Sequence, residues 1–167
     1  IVSHRQPWLT HVMLIVTSLG DPRFIIPVVL VLGGVFRYWY KNWQATWILA
    51  LATASAGLFD LLLKELIDRP RPLAVWRLIE VPGSAFPSGH AALAVFYIIT
   101  AYLITRKLVT WHYKVLVWIF GGGMMIAIGV SRVYLGVHWP TDVVGGWMLA
   151  VIWAALFIVT TSTIDRL

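Results

Sequence analysis

Five long apolar stretches constrain the fold of this chain more than any other feature, and they cover residues 24–40, 43–66, 91–105, 113–130 and 141–161. A helix crosses a bilayer with about 20 apolar residues, within a range of about 17–25, and the five stretches approach this length. Because 60% of the residues are hydrophobic and 12% are charged, a water-soluble globule could not cover this much apolar surface. The sequence therefore predicts an all-α, polytopic membrane helical bundle with five transmembrane helices.

The segment before the first stretch, residues 7–19, is too short to span a membrane. Apolar residues recur along it at helical spacing from Trp8 to Leu19, which predicts an amphipathic N-terminal helix that lies at the membrane interface. Gly20-Asp21-Pro22 then turns the chain into the first span. Close contacts between helices are predicted at the glycines of the last two stretches, which are Gly121, Gly122, Gly123, Gly129, Gly145 and Gly146.

The composition excludes several classes of function. The chain has no cysteine, which excludes disulfides, cysteine-ligated metal sites and a cysteine nucleophile. Its net charge is +6, but the cations are scattered between apolar runs, whereas nucleic-acid binders carry a contiguous basic face. We therefore expect no nucleic-acid partner. The length of 167 residues allows one domain, so we expect residues 1–167 to form a single membrane-embedded domain.

The connections between the predicted spans alternate between two sides of the bundle. One side carries the 21–23 turn, the long 68–89 loop and the 131–140 link. Basic residues in short connections are typical of the cytoplasmic side, and the other side carries six of them. The long-loop side carries a similar number, but several of these are functional candidates and are not counted as topology signals. We therefore expect the long loop to face away from the cytoplasm. The six basic residues are Arg37, Lys41, Arg106, Lys107, Lys114 and Arg166.

Ionisable residues cluster at three places on the long-loop side, and ionisable residues at membrane depth are functional candidates. The first cluster is Lys64 and Arg71 at the end of the second span, where Pro70 and Pro72 stop the helix. Taken alone, two cations at a helix exit often only extend to the membrane interface.

The second cluster is Pro87-Ser88-Gly89-His90, at the start of the third span. The N–H groups at a helix N-terminus attract anions, Ser88 can cap the helix, and Gly89 lets an anion approach the backbone. His90 can exchange a proton near neutral pH. Taken alone, simple helix capping is the commoner reason for such a sequence.

The third cluster runs from Ser131-Arg132 to His138 and Asp142. Arg132 offers a forked, permanently charged donor that suits phosphate oxygens. Asp142 follows His138 by four residues, so one helical turn can bring its carboxylate to one imidazole nitrogen and leave the other free to attack. A carboxylate that only complements the dipole of the fifth span is the alternative explanation.

Together, the clusters place three cations, two histidines and one carboxylate on one side of an apolar bundle. Cations can neutralise phosphoryl oxygens, and histidines can supply a nucleophile and an acid. The acidic residues do not form an oxygen-rich metal site, and two separated histidines make a poor zinc site, so we expect no metal. This chemistry favours transfer of a phosphoryl group at the membrane surface.

The three motifs resemble those of the type 2 phosphatidic acid phosphatase family, whose members are membrane lipid-phosphate phosphatases. The resemblance is closest to small bacterial members that act on phosphatidylglycerol phosphate or undecaprenyl pyrophosphate. It implies a sixth span before Ile1, a multi-pass protein of the bacterial plasma membrane with an extracytoplasmic site, and no cofactor. In this chain the motifs read Lys64-x6-Arg71-Pro72, Pro87-Ser88-Gly89-His90 and Ser131-Arg132-x5-His138-x3-Asp142.

The resemblance also implies a role for each motif residue. His138 would be the nucleophile that forms a phosphohistidine, Asp142 would orient it, and His90 would protonate the leaving oxygen. The substrate would be the terminal phosphate of phosphatidylglycerol phosphate, phosphatidic acid or undecaprenyl pyrophosphate. Its phosphate would be bound by Lys64, Arg71, Ser88, Gly89 and Arg132, with Ser131 and Pro87 in supporting positions.

Two other functions use the same residues differently. A phosphotransferase would pass the phosphate from the histidine to a second lipid, and the motifs do not specify the acceptor. A transporter or packing subunit would use the charges as structural pairs, but the sequence contains no inverted repeat. The sequence does not predict an oligomeric state.

Several weaker candidates lie near the three clusters. Asp60 precedes Lys64 by four residues, which predicts an internal salt bridge. Four residues of the long loop are expected to contact either a lipid headgroup or solvent, namely Arg69, Trp76, Arg77 and Glu80. Tyr134 is expected either to line the site or to pack in the core. Three further histidines are interpreted as interfacial polar residues, namely His4, His11 and His112.

Overall fold

The structure is a computed structural model that describes residues 5–164, and His4 and Arg166 lie outside this range. Every α-helix in the described part of the chain is bounded by proline, glycine or a loop. A π-helical turn over Val35–Trp39 continues the second helix, and a short 3-10 turn covers Ala74–Trp76. The helices are α1 (Pro7–Ser18), α2 (Pro22–Gly34), α3 (Trp43–Ile67), α4 (Gly89–Ala92), α5 (Val95–Thr105), α6 (Trp111–Tyr134) and α7 (Pro140–Ile164).

Four helical segments are long and apolar enough to cross a membrane, namely Pro22–Trp39, α3, α6 and Pro140–Ser162 of α7. The predicted all-α membrane bundle is therefore confirmed. The predicted span over 91–105 differs in detail, because it is the shorter apolar segment Gly89–Thr105, interrupted between α4 and α5. The interruption falls at Leu93 and Ala94, which are ordinary helix formers, so no local signal in the sequence marks it.

The predicted N-terminal amphipathic helix is α1, which has 12 residues. Trp8 and Ile15 on its outer face are 66% and 65% exposed. On its inner face, Leu9 and Met13 pack against the buried cluster around Leu135. A short helix with one apolar face open to its surroundings and the other on the bundle agrees with an interfacial position.

The core of the bundle lies between α3, α5 and α7, with side chains from α2 and α6 closing its sides. Leu49 of α3, Ile99 of α5 and Ala150 of α7 are completely buried there, together with Ile25 and Ile128. Many other large apolar side chains remain exposed on the outer faces of the long helices. Such a surface is expected of a protein whose outer solvent is lipid.

Glycine allows two close helix contacts that position the functional site. A Cβ on Gly129 of α6 would lie 2.5 Å from Cγ1 of Val143 in α7, and one on Gly146 would lie 2.6 Å from the carbonyl oxygen of Ser88. Gly145 instead meets the ring of Phe86 in the long loop. The prediction of close contacts between helices is thus confirmed at Gly129 and Gly146, and also at Gly121, whose added Cβ would lie 3.2 Å from the carbonyl oxygen of Tyr97 in α5. It is wrong for Gly122 and Gly123, which have no neighbouring atom within 4 Å of an added Cβ.

Backbone hydrogen bonds tie together the connections at one end of the bundle. The N–H of Ser88 donates to the carbonyl of Asp142 at 3.0 Å, and the N–H of Leu78 donates to the carbonyl of Leu135 at 2.9 Å. Within the long loop, the N–H of Ala85 donates to the carbonyl of Arg69 at 2.8 Å. These bonds bring the three predicted motifs to the same end of the molecule.

Candidate active site

A cavity of about 700 Å³ opens between α2 and α3 and ends at the motif residues. Its walls along the two helices are apolar, and several of them, such as Leu30 and Leu58, are also exposed on the outer surface. The cavity is therefore open sideways, toward the surroundings of the apolar helices. At its closed end it is lined by Asp60, Lys64, Arg71, Gly89, His90, Arg132 and His138.

His138 and Asp142 form a buried pair at the start of α7. Pro140 begins the helix, so Asp142 falls in its first turn, and its Oδ2 accepts a hydrogen bond from the backbone N–H of Trp139 at 2.8 Å. The same oxygen lies 3.4 Å from Nδ1 of His138. The carboxylate favours a proton on Nδ1, and Nε2 is then left with its lone pair.

The environment of His138 keeps its imidazole neutral. Burial lowers its pKa to about 4, and the charges of Arg132 and Arg71 act in the same direction, while the nearby carboxylate of Asp142 opposes them. Nε2 lies 3.2 Å from Nη1 of Arg71, at the cavity end of the ring. Nε2 of His138 and the guanidinium of Arg71 therefore face the closed end of the cavity together.

Backbone carbonyls fix the guanidinium of Arg71. Its Nε donates to Gly83 at 2.9 Å, Nη1 donates to Val137 at 2.9 Å, and Nη2 donates to Pro82 at 3.1 Å. Burial, and after it the charge of Arg77, lower the pKa of Arg71, although an arginine in a protein remains protonated. A cation held by three carbonyls needs no reorganisation when an anion arrives.

Lys64 lines the closed end of the cavity and forms a salt bridge with Asp60, one helical turn earlier on α3. Its Nζ donates to Oδ2 of Asp60 at 2.6 Å, which confirms the predicted salt bridge. Gly89 faces this pair directly, because an added Cβ would lie 2.8 Å from Oδ2 of Asp60 and 2.9 Å from Nζ of Lys64. The absence of a side chain at Gly89 thus leaves the space that the ammonium group occupies.

The Pro87-Ser88-Gly89-His90 motif is more deeply buried than a simple cap. Pro87 and Ser88 have almost no exposed surface. Ser88 occupies the N-cap position of α4, as predicted, but its hydroxyl makes no capping bond and has no hydrogen-bond partner among the described residues. Because α4 has only 4 residues, its dipole is smaller than the sequence led us to expect.

Ser131 and Arg132 are adjacent at the end of α6, but only Arg132 lines the cavity. Arg132 is 2% exposed and lines the cavity, and its Nη1 donates to Oγ1 of Thr17 at 2.8 Å. The hydroxyl of Ser131 donates to the carbonyl of Ile128 in its own helix at 2.6 Å. Ser131 therefore supports the helix and does not line the cavity.

Arg69 contacts the carboxylate of the site. The sequence alone did not decide whether this side chain contacts a lipid headgroup or solvent. Its Nη1 donates to Oδ1 of Asp142 and to Oγ1 of Thr141, both at 2.7 Å. The guanidinium also lies 5.9 Å from the ring centre of Trp139. Arg69 thus holds the second oxygen of Asp142, and its position two residues before Arg71 is the only local signal for this contact.

Apart from Asp60, the weaker candidates do not line the closed end of the cavity. The hydroxyl of Tyr134 contacts Oγ1 of Thr10 at 3.0 Å, so Tyr134 packs against α1. Arg77 donates to the carbonyl of Pro72 at 2.8 Å and shares a smaller pocket with Arg71 and Glu80. No group of three or more acidic or histidine side chains within residues 5–164 is arranged to hold a metal ion. Trp76, His11 and His112 are exposed and do not line the cavity.

Comparison with known proteins decides the family. The sequence pattern of the PAP2 superfamily matches residues 45–166, a range that contains all three motifs. The chain belongs to the PAP2 superfamily. The resemblance predicted from the motifs is therefore confirmed.

Individual relatives and a solved structure are also similar to this chain. Phosphatidylglycerophosphatase B of Bacillus subtilis is 36% identical over 150 residues, which cover 89% of this chain and 73% of that protein. Undecaprenyl-diphosphatase BcrC of the same organism is 28% identical over 161 residues, covering 93% and 77%. A crystal structure of the transmembrane PAP2-type phosphatidylglycerolphosphate phosphatase from Bacillus subtilis has a TM-score of 0.93 and 35% identity, covering 99% of this chain and 82% of that one.

Proposed function

We propose that this chain is a single-domain, membrane-embedded phosphatase that removes the terminal phosphate of a lipid through a phosphohistidine. The observation that carries the proposal is the cavity, which joins a cationic pocket to an apolar groove between α2 and α3. A lipid phosphate has the same two parts. Its headgroup would enter the pocket while its tails remain along the groove or in the bilayer.

The pocket suits a phosphate dianion. Arg71, Arg132 and Lys64 would neutralise its oxygens, and the N–H of Gly89 would complete the contacts. Without a ligand, these buried cations have few carboxylates beside them, and a bound anion would offset the cost of their burial. The leaving oxygen and the rest of the lipid would then lie toward His90 and the groove.

In the first step, Nε2 of His138 would attack phosphorus in line with the leaving oxygen. A P–N bond forms while the P–O bond to the lipid breaks, and His90 gives its proton to the departing oxygen. Asp142 keeps the proton on Nδ1 and stabilises the positive charge that develops on the ring. The products of this step are the dephosphorylated lipid and phosphorylated His138.

In the second step, water would attack the phosphohistidine. His90, now neutral, takes a proton from this water as the new P–O bond forms and the P–N bond breaks. The electron pair returns to Nε2 of His138, and inorganic phosphate leaves. Both histidines then have their starting protonation states, so the cycle is closed.

Among the three candidate substrates, phosphatidylglycerol phosphate has the strongest support. The relative that is 36% identical is named a phosphatidylglycerophosphatase, and the crystal structure with a TM-score of 0.93 is also of a phosphatidylglycerolphosphate phosphatase. Undecaprenyl pyrophosphate has support from the BcrC relative at 28% identity. Phosphatidic acid presents the same terminal phosphate and is the simplest substrate for an assay.

The test is release of inorganic phosphate from each of the three lipids in mixed micelles that contain excess EDTA. The wild-type protein should release phosphate from phosphatidic acid, and fastest from phosphatidylglycerol phosphate. His138→Ala should abolish release, whereas His11→Ala, which removes an exposed histidine on the same side of the bundle, should leave it unchanged. Activity in folded His138→Ala, transfer of the phosphate to a second lipid, or loss of activity in EDTA would contradict the proposal.

We also propose that the site lies on the extracytoplasmic side of a bacterial plasma membrane. The chain has no cysteine, so single cysteines can report the side of each loop. Val75 in the long loop is 81% exposed, and Val109 at the opposite end of the bundle is 95% exposed. An impermeant maleimide should label Val75→Cys in intact cells and Val109→Cys only after permeabilisation, and the reverse pattern would overturn the orientation.

A further inference from the structure

A second carboxylate lies near the closed end of the cavity, in the turn between α1 and α2. Asp21 is the N-cap of α2, and its Oδ1 accepts the backbone N–H of Arg23 at 2.8 Å. Its other oxygen, Oδ2, lies 3.9 Å from Nε2 of His90. No motif contains Asp21, and the mechanism described above does not use it.

The backbone of this turn is pressed directly against His90. A Cβ added to Gly20 would lie 3.3 Å from Cβ and from Cδ2 of His90, and 2.5 Å from Cγ2 of Ile128. Only a residue without a side chain lets the turn approach this closely. Gly20 is thus packed between His90 and Ile128, and this packing places the next residue, Asp21, beside the imidazole.

Two hydrogen bonds anchor the residues just before the turn. Oγ1 of Thr17 accepts a bond from Nη1 of Arg132 at 2.8 Å, and the carbonyl of Leu19 accepts one from the hydroxyl of Tyr97 at 2.8 Å. Both donors belong to helices of the core, α6 and α5. The carboxylate of Asp21 is thus attached to the catalytic end and is not a freely moving surface group.

The other charged neighbours of His90 make this contact important. A general acid must hold a proton before it can donate one, and nearby cations oppose protonation of an imidazole. Among the described residues, Asp21 is the one acidic side chain in ion-pair contact with His90. The remaining charged or titratable groups that act on its ring are Lys64, Arg71, Arg132 and His138.

We propose that Asp21 is a positioning residue that faces Nε2 of His90, holds the imidazole in place and favours its protonated form. The inference rests on the proposed function, in which His90 is the acid. Asp21 is not among the residues that line the cavity. The site would then contain two histidine–aspartate pairs, His138 with Asp142 for attack and His90 with Asp21 for departure.

The first test compares two leaving groups in Asp21→Asn. Asparagine caps a helix as well as aspartate does, so the start of α2 should stay intact. Hydrolysis of phosphatidic acid, whose alkoxide leaving group needs a proton, should fall about tenfold in kcat, whereas p-nitrophenyl phosphate, whose leaving group needs none, should change less than about twofold. Glu65→Gln removes an exposed carboxylate on the same side of the bundle and should change neither rate.

The second test asks whether Asp21 acts through His90. In a His90→Ala background, Asp21→Asn should cause no further loss with phosphatidic acid, because residues that act as a unit are not additive. Equal losses on both substrates, or additive losses in the double variant, would overturn the role of Asp21 and leave the phosphatase itself standing. An active, folded His138→Ala would instead overturn the proposed function, so the two failures are distinguishable.

Discussion

Arginines and lysines lie at both ends of the bundle, but their burial and their contact partners differ between the two ends. At the end with the cavity, Arg132 is 2% exposed and Arg71 is bonded to three backbone carbonyls. At the opposite end, the guanidinium of Arg37 lies 4.1 Å from the ring centre of Trp43, and Lys107 is exposed. The number of cations is similar at the two ends, and their burial and partners differ.

This difference teaches how to separate binding cations from topological ones. A buried cation loses its hydration, and it is stable only where carbonyls, carboxylates or a bound anion replace the water. A cation at the membrane surface can keep most of its hydration or lie over an aromatic ring, as Arg37 does over Trp43. The cavity end therefore fits a site that awaits an anion, and the opposite end fits an anchor.

The largest difference in activity between the two ends is expected when an arginine at each end is replaced by lysine. Arg132→Lys keeps the charge but cannot bond Thr17 and a phosphate in the same forked geometry, so kcat/KM on phosphatidic acid should fall about 100-fold. Arg37→Lys at the opposite end should stay within about twofold of wild type, because its aromatic contact is remote from the chemistry. Equal effects at the two ends would show that burial does not identify the binding cations.

The second prediction concerns Arg69, the cation that holds Asp142. Arg69→Gln should lower kcat by about 10–100-fold, the loss usual when a group that orients a functional histidine through its partner is removed. KM should change little, because Arg69 bonds protein atoms and does not line the cavity. A large rise in KM with unchanged kcat would instead make Arg69 a headgroup contact.

A smaller effect is expected from two glycines that differ only in their surroundings. Gly89→Ala would bring a methyl group within 2.9 Å of Nζ of Lys64 and should lower kcat/KM by about tenfold by displacing the ammonium group. Gly122→Ala in α6 meets no atom within 4 Å and should leave activity unchanged while stabilising the helix by about 0.5–1 kcal/mol. Thermal unfolding and phosphate release measured on the same samples would separate the two outcomes.

Much of the fold could be predicted from the sequence because the lipid environment simplifies it. Long apolar runs mark the spans, and Pro22 and Pro140 mark helix starts within a few residues of their observed positions. The interruption between α4 and α5 could not be predicted, since Leu93 and Ala94 are compatible with a continuous helix.

The same division applies to the site. Lys64, Arg71, His90, Arg132 and His138 line the cavity as expected, because helix ends on one side of a membrane must meet there. Contacts made across the sequence could not be predicted. Their spacing carries no periodic signal, and they include Arg69 with Asp142, Thr17 with Arg132, and Asp21 with His90.

The central claim is that His138 carries the phosphate, and trapping the intermediate tests it most directly. Phosphatidic acid labelled in its phosphate would be mixed with the protein, quenched in alkali within one turnover, and the peptides analysed by mass spectrometry. We expect an alkali-stable, acid-labile phosphate on His138 that is absent from His138→Ala. Product formed in the first turnover without any label on His138 would contradict it, and so would a label that survives an acid quench but is absent after the alkaline one.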